Sequence, residues 1–477
     1  MASNKTYDAV IIGSGPNGLS AGILLAQKGL RVKIFEAYHI PGGGMRTHEL
    51  TLPGFRHDIC SAIHPLAFES PFFKTLPLED FGLEWVHPDI PLAHPLENGD
   101  AVFLYQSLQK TARQMGIDEE RYHTLYDKFI KHWDAMSNDL LGPLRLPQKP
   151  FLLSPFGYKA LQSAQGFAER YFQTEKAQTL FGGLAAHSIR SLQRPGTAAI
   201  GLVLALAGHK SGWPFPKKGA QSLADALTKY FTHLGGEISM GQRIDSFNDL
   251  PESKTYFFDT NPRDMAKICG QRLSTLYKKR LSKFEYGHGV FKIDAALKSP
   301  IPWKNEECKK AGTVHLGGTL DEICESERSM NQDKHTKQPF VLVAQHTNFD
   351  HTRAPSNRHT LWAYCHVPNG SEKDMKEEIF NQIERFAPGF RKTVMDVTCT
   401  TSMDFEDYNP NYLGGDINGG AAKLSQLFSR PVLKKVPYRT SAKEIYLCSS
   451  STPPGGGVHG MCGYHAAKDA LRRILTK

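Results

Sequence analysis

YDAVIIGSGPNG, residues 7–18, is the stretch on which the fold turns. A short apolar, β-branched run from Tyr7 to Ile12 stops at Gly13; Ser14, Gly15, Pro16, Asn17 and Gly18 follow, and a helical pattern then continues to about Lys28. Strand, glycine turn and helix in that order open a Rossmann βαβ unit. Gly13 allows the tight turn, Gly15 removes the side chain where a pyrophosphate must approach the backbone, and Gly18 lets the helix pack closely on the strand. The helix N-terminus then faces the phosphates. A second strand-like run, Arg31 to Phe35, ends in Glu36, 18 positions after Gly18. That is close to the spacing of about 20 expected for the acid that binds the adenosine ribose hydroxyls, and an acid there argues against a 2′-phosphate. A lone glycine triplet would be weak evidence; here strand, helix, second strand and terminal acid agree.

A few residues on, where an NAD dehydrogenase would proceed to its next helix, stand Pro41, Gly42, Gly43, Gly44, Met45, Arg46 and Thr47. This segment resembles the second glycine motif of the phytoene desaturase and amine oxidase superfamily of flavoproteins. The resemblance implies FAD, with Gly43 and Gly44 in a loop beneath its pyrophosphate and flavin, Arg46 on a phosphate, and Ala37 beside the adenosine acid Glu36. At the far end, KEIYLC (443–448) reads as a strand, followed by Ser449, Ser450, Ser451, a proline pair, Gly455, Gly456, Gly457, Val458, His459 and Gly460, then a helical pattern to about Leu475. A glycine-rich loop again feeds a helix whose N-terminal dipole stabilises negative charge. Residues 446–467 are similar to the C-terminal FAD motif of the phytoene desaturase-related proteins, in the branch of pyridine nucleotide-disulfide oxidoreductase domain-containing protein 2. This implies flavin and ribitol contacts from Ser450, Gly457 and Val458, although Ser449 and Ser450 replace the glycine and acid that many members carry.

Interior stretches extend the resemblance over nearly the whole chain: FGGLAAHS (181–188), GWPFPKKGAQSLADAL (212–227) and RAPSNRHTLWAYCHVP (353–368). GGEISMGQRI (235–244) resembles the strand whose backbone meets the adenine, which implies a contact at Ile244, and DTNP (259–262) resembles the turn back to the FAD domain. Relatives often carry a longer hairpin where this chain has the short, polar residues 245–254. The expected fold is α/β: a discontinuous Rossmann-type FAD-binding domain from residues 1–70, 215–275 and 430–477, with a mixed-sheet and helical substrate or cap domain from 71–214 and 276–429.

With 477 residues, 40% hydrophobic and 22% charged, the chain has the composition of a globular protein with more than one core. IGLVLALA (200–207) is far too short to span a bilayer, which takes about 20 residues, and reads as a buried helix. Only six residues precede the first strand, too few for a secretory signal. These features point to a cytoplasmic protein, with peripheral membrane contact left open. The net charge of +9 comes from scattered Lys and Arg, so no nucleic-acid partner is expected. None of the eight cysteines falls at metal-knuckle or redox-pair spacing, and the histidines form no zinc-protease motif, so neither a metal nor thiol–disulfide chemistry is expected. The segment GGDINGG (414–420) lacks the strand and helix of a second dinucleotide unit. The electron acceptor is then oxygen, a quinone or another protein.

A flavin accepts hydride or electrons while the protein supplies orientation, electrostatics and exclusion of water, so no catalytic residue follows from spacing. His187 and His459 are each either an acid/base or a hydrogen-bonded structural histidine. Trp213, Pro214 and Phe215 either line an apolar pocket or belong to the core. The resemblance implies an FAD-dependent oxidoreductase, phytoene dehydrogenase-like, that dehydrogenates or desaturates an apolar, lipid- or isoprenoid-like small molecule by hydride transfer. The alternatives are an amine oxidase-like flavoprotein and a non-catalytic, FAD-binding interaction protein.

Overall fold

The computed structural model describes residues 6–147 and 149–475. β1 (Tyr7–Ile12), α1 (Pro16–Ala26) and β2 (Val32–Phe35) stand where the sequence pattern puts them, with α1 ending two residues before Lys28. β1 and β2 pair in parallel, Val10 opposite Lys33 and Ile12 opposite Phe35, as a helical crossover requires. They sit inside a five-stranded, all-parallel sheet in the order 445–447, 253–258, 7–12, 32–35, 237–239. Segments from both ends and the middle of the chain therefore build one layer. Every residue of the C-terminal strand Ile445–Leu447 is buried, and β1 is buried at all but one position. Both faces of the sheet are covered, which is why its strands read as continuous apolar runs rather than alternations.

Small residues let the helices close on α1. A Cβ added at Gly463, in the C-terminal helix Met461–Ala470, would lie 1.8 Å from Asn17 O. At Gly22 it would lie 3.0 Å from Phe231 Cε2 of the helix Gln221–His233.

The second sheet has seven strands in the order 394–400, 289–297, 359–367, 341–344, 311–316, 90–95, 101–104. All its pairings are antiparallel except that of 311–316 with 90–95. The strand Gly289–Leu297 is buried at every position. Phe291, Ile293 and Ala295 pack with the helix Lys376–Phe386 on one face, while Leu342, Ala344, Trp362 and Tyr364 of neighbouring strands meet a helical layer on the other. That layer includes Ala198–Ser211, the helix that contains the run at 200–207. Among the described residues, no helix is long and apolar enough to cross a membrane.

A buried ion pair ties the layers together. Asp58, in the hairpin 47–49/56–58, accepts from Arg353 Nη2 (2.7 Å), Thr47 Oγ1 (2.6 Å) and Ala220 N (2.8 Å). Arg353 Nε also donates to Arg56 O at 3.2 Å.

Candidate dinucleotide and substrate site

Two cavities meet at the glycine turn. One, about 290 Å³, is lined by Gly13, Glu36, Ala37, Arg46 and Ile244. The other, about 270 Å³, is lined by Pro16, Asn17, Gly44, Ser450, Gly457 and Val458. Gly15, Gly43, Asp259, Asn409 and Asn411 line both, so the two form one elongated space, suited in size to a dinucleotide rather than a small metabolite. Ser14 and Gly18 stand behind this wall.

The glycines have separate local reasons. Gly13 takes φ +100°, where a side chain is strained, and a Cβ on it would sit 2.8 Å from Asp259 O. A Cβ on Gly18 would lie 2.0 Å from Gly13 O, so α1 rests on the strand end only because that position is bare. Gly18→Ala is expected to cost about 1–3 kcal/mol through overpacking against backbone that cannot swing away. Urea denaturation checks this, and a loss below about 0.5 kcal/mol would mean that the helix shifts freely.

Several of the expected contact residues are also engaged within the chain. Glu36 is already engaged by its own chain: Oε2 accepts from Ser14 N (2.9 Å) and Ser14 Oγ (2.6 Å), and Oε1 from Tyr38 N at 2.8 Å. Arg46, expected on a phosphate, lines the cavity, pairs with Glu36 Oε1 at 3.1 Å and stacks over the Tyr38 ring at 4.3 Å. Burial drives this pairing: Arg46 is 2% exposed and Glu36 7%, and a charge so enclosed needs a counter-charge. Ile244 lines the cavity from a segment beyond the short strand Glu237–Ser239, not from the strand itself.

Asp259 was legible only as part of a turn, yet it stands where the two cavities join. Its Oδ2 accepts from Gly18 N at 2.8 Å, so a carboxyl occupies the N-terminus of α1. Burial raises its pKa to about 7, and the neighbouring Glu36 adds to the rise.

Beyond Gly457 and Val458 the space continues into a third, apolar cavity of about 290 Å³ walled by Leu66, Ile200, Val203 and Leu204. Ile63, His187 and Trp213 border this cavity and the second one. Two buried polar atoms on the second cavity, Thr313 Oγ1 and Trp362 Nε1, have no hydrogen-bond partner, and neither has Asn17 Oδ1 at the glycine turn. His187 thus reaches the cavities; His459 does not, and its Nδ1 instead accepts from Met461 N at 3.1 Å. Trp213 lines the pocket, whereas Phe215 is core against His346. Thr313, Trp362, Tyr364 and Asn411 carry no local signal, because they reach the site from strands and loops far along the chain. Among the described residues, no group of three or more His, Cys, Asp or Glu could hold a metal ion.

Residues 11–75 match the family model of the NAD(P)-binding Rossmann-like domain. A limonene dehydrogenase polypeptide of Castellaniella defragrans is 31% identical over 98% of this chain and 95% of that protein. Pyridine nucleotide-disulfide oxidoreductase domain-containing protein 2 of Rattus norvegicus is 25% identical over 98% and 94%, and the lycopene-forming phytoene desaturase of Pseudescherichia vulneris is 24% identical over 97% and 98%. A solved oxidoreductase from Methanosarcina mazei superposes with a TM-score of 0.66 at 15% identity, over 97% of this chain and 99% of that one.

Proposed function

Because the chain belongs to the phytoene desaturase-related family of FAD-dependent oxidoreductases, we propose that it binds FAD along the two glycine-lined cavities and dehydrogenates or desaturates an apolar, lipid- or isoprenoid-like molecule. The observation that carries this reading is the apolar cavity continuing from Gly457 and Val458, bordered by Trp213 and Ile63. It offers depth and hydrocarbon walls to a substrate with few polar groups. The dehydrogenases and desaturases among the relatives, named for limonene and phytoene, support the same substrate class.

The residues fit the cofactor. Glu36, Ala37 and Ile244 would hold the adenosine; Gly15, Asn17 and Gly43 the diphosphate; Ser450, Gly457 and Val458 the ribitol and flavin. Gly15 and Gly43 keep that path clear, since a Cβ on Gly43 would lie 3.0 Å from Gly15 Cα. Bound FAD supplies a hydride acceptor. The chain's own part is to hold the reacting C–H beside it and keep water out, for which Ile63, Trp213 and Leu342 provide the walls. Electrons leave to oxygen, a quinone or another protein.

An absorbance spectrum of the purified protein, followed by anaerobic addition of limonene or phytoene in detergent, tests the reading. Flavin bands that bleach are the expected result. Bleaching by benzylamine alone would favour an amine oxidase, persistence with every donor a non-catalytic role, and absence of flavin would overturn the cofactor assignment.

Peripheral membrane contact belongs to the same proposal. Leu146, Phe151 and Tyr158 are 94%, 92% and 75% exposed, close in sequence to Arg145, Lys149 and Lys159. Apolar side chains flanked by cations suit an anionic lipid surface. Each apolar side chain fully buried is worth about 1.5–3 kcal/mol. The double variant Leu146→Asp with Phe151→Asp is therefore expected to lower sedimentation with phosphatidylserine-containing vesicles by more than about tenfold, and unchanged sedimentation would remove the patch from the proposal.

A further inference from the structure

A polar cavity of about 470 Å³ abuts the substrate space. Ile189 lines both this cavity and the one walled by Trp213 and Leu342, and Ala422 lines both it and the apolar third cavity. The loop between the helices Glu175–Ala186 and Ala198–Ser211 supplies its charged wall, Arg190 and Arg194. Ile189 takes φ +49°, a left-handed conformation that strains a β-branched residue. Its N donates to Ala186 O at 2.9 Å, so it ends the helix in the place that glycine commonly fills. Such strain persists only where the surroundings hold it. Here the turn sends His187 to the second and third cavities and Arg190 to the polar one, with the side chain of Ile189, 5% exposed, as the wall common to both sides.

The two arginines lack a counter-charge. Arg190 is half-buried and Arg194 exposed. Arg190 Nη1 donates to Ala422 O at 2.7 Å, and among the described residues neither guanidinium forms an ion pair with a carboxylate. The other charges on this wall are either paired or at its rim: Lys423 is engaged by Glu285, and Asp333 is exposed. His288, whose Nε2 is 3.3 Å from Asn331 Oδ1, is neutral at pH 7 because burial lowers its pKa below 6.5. Burial and then Arg194 lower the pKa of Arg190, and Glu285 opposes them, so the two guanidiniums are close enough to repel. Each carries five N–H donors in a fixed fork and no acceptor, and almost none of these donors is used within the chain.

We propose that Arg190 and Arg194 bind a phosphate monoester that is the head group of the substrate, its hydrocarbon chain lying in the apolar cavity. Two guanidiniums match the nearly two negative charges of a phosphate monoester at pH 7, whereas a carboxylate would leave one of them uncompensated. Forked N–H pairs also fit phosphate oxygens two at a time. With Arg194 exposed, the head stays partly hydrated and escapes the desolvation cost of a fully buried ion pair. A head held at one end fixes which carbon of the chain stands beside the flavin, so the pair sets the position of the reaction as well as affinity. The inference deepens the apolar-substrate reading above and rests on it for the fate of the chain, but not for the binding of the head.

Calorimetric titrations of the purified protein with farnesyl phosphate, farnesol and inorganic phosphate, all in one non-ionic detergent, test this. Farnesyl phosphate is expected to bind at least about tenfold more tightly than either of the others, and Arg190→Gln or Arg194→Gln to bring it down to the level of farnesol. Added salt should weaken farnesyl phosphate and leave farnesol unchanged. Arg194→Gln, at an exposed position, keeps the test open should Arg190→Gln, which gives up the bond to Ala422 O, not fold. Equal affinity for farnesyl phosphate and farnesol, or an affinity for farnesyl phosphate that the variants do not move, would overturn the site. Inorganic phosphate bound as tightly as farnesyl phosphate would overturn the head-group assignment, because the site would then take a free anion alone. Flavin bleaching is a separate readout: arginine-dependent binding of farnesyl phosphate without bleaching would overturn the dehydrogenation reading and leave the phosphate site standing.

Discussion

Asp259→Asn is expected to tighten FAD binding at pH 8 by about tenfold or more and to remove its pH dependence. The Asp259 carboxyl accepts from Gly18 N at 2.8 Å and lines both cavities at their junction, beside Gly15 and Gly43. A dinucleotide laid along those cavities brings its diphosphate to this carboxyl. Two anions within several ångströms, partly shielded from water, repel by several kcal/mol at an effective dielectric near 20. The protonated carboxyl avoids this, so FAD binding takes up a proton above the pKa of about 7, and affinity falls by up to about tenfold per pH unit there. Flavin fluorescence titrations from pH 6 to 9 measure this, and equal slopes for wild type and variant would sink it.

The same group sets an acid preference in the flavin-free protein. Its folded pKa of about 7 lies above the ordinary value of 3.8, so the folded state keeps a proton that the unfolded chain gives up. The stability is therefore fully present below pH 4 and is lost as pH rises towards 7 and beyond, by about 4 kcal/mol at most. Urea midpoints of the Asn variant should show a flatter profile over that window.

Arg353→Met is expected to cost about 3–5 kcal/mol, because it strands a buried carboxylate. Asp58 is 1% exposed and Arg353 0%. Burial alone would raise the Asp58 pKa, but the Arg353 guanidinium, then His346, hold it well below the usual carboxylate range. That depression means the pair stabilises at any pH above the ordinary value of 3.8 and weakens only in strong acid. Asp58→Asn with Arg353→Met should lose less than the two single changes added together, since removing both charges leaves neither unpaired. Denaturant curves on the three variants decide it; a single-variant cost below about 1 kcal/mol would show that water reaches the carboxylate.

Much of the nucleotide half was legible because its signals are local. β1 and α1 are joined through three glycines whose roles depend on backbone geometry within a dozen residues, and Glu36 follows at the end of the next strand. The run at 200–207 read as a buried helix because its length excludes a bilayer and its composition excludes a surface. The strand Gly289–Leu297 was harder to place. One face carries Phe291, Ile293 and Ala295 and the other Lys292 and Asp294, and only the tertiary structure shows that the polar face is covered as well, with Lys292 paired to Asp294. The ion pair of Arg46 with Glu36 was not legible for a related reason: spacing puts a cation near a glycine motif, but does not say which carboxylate of the chain is enclosed beside it.

A parallel nucleotide-binding sheet, the glycine turns and the class of cofactor chemistry follow from neighbouring residues alone, because strand and helix periods and bare backbone positions are local properties. What surrounds that turn depends on the packing of distant segments. Asp259 reaches Gly18 across 241 positions of chain, and His187 meets His315 across 128. Such pairs are chosen by how two sheets and a helical layer close on one another, and desolvation at that closure, not residue type, sets which groups carry charge.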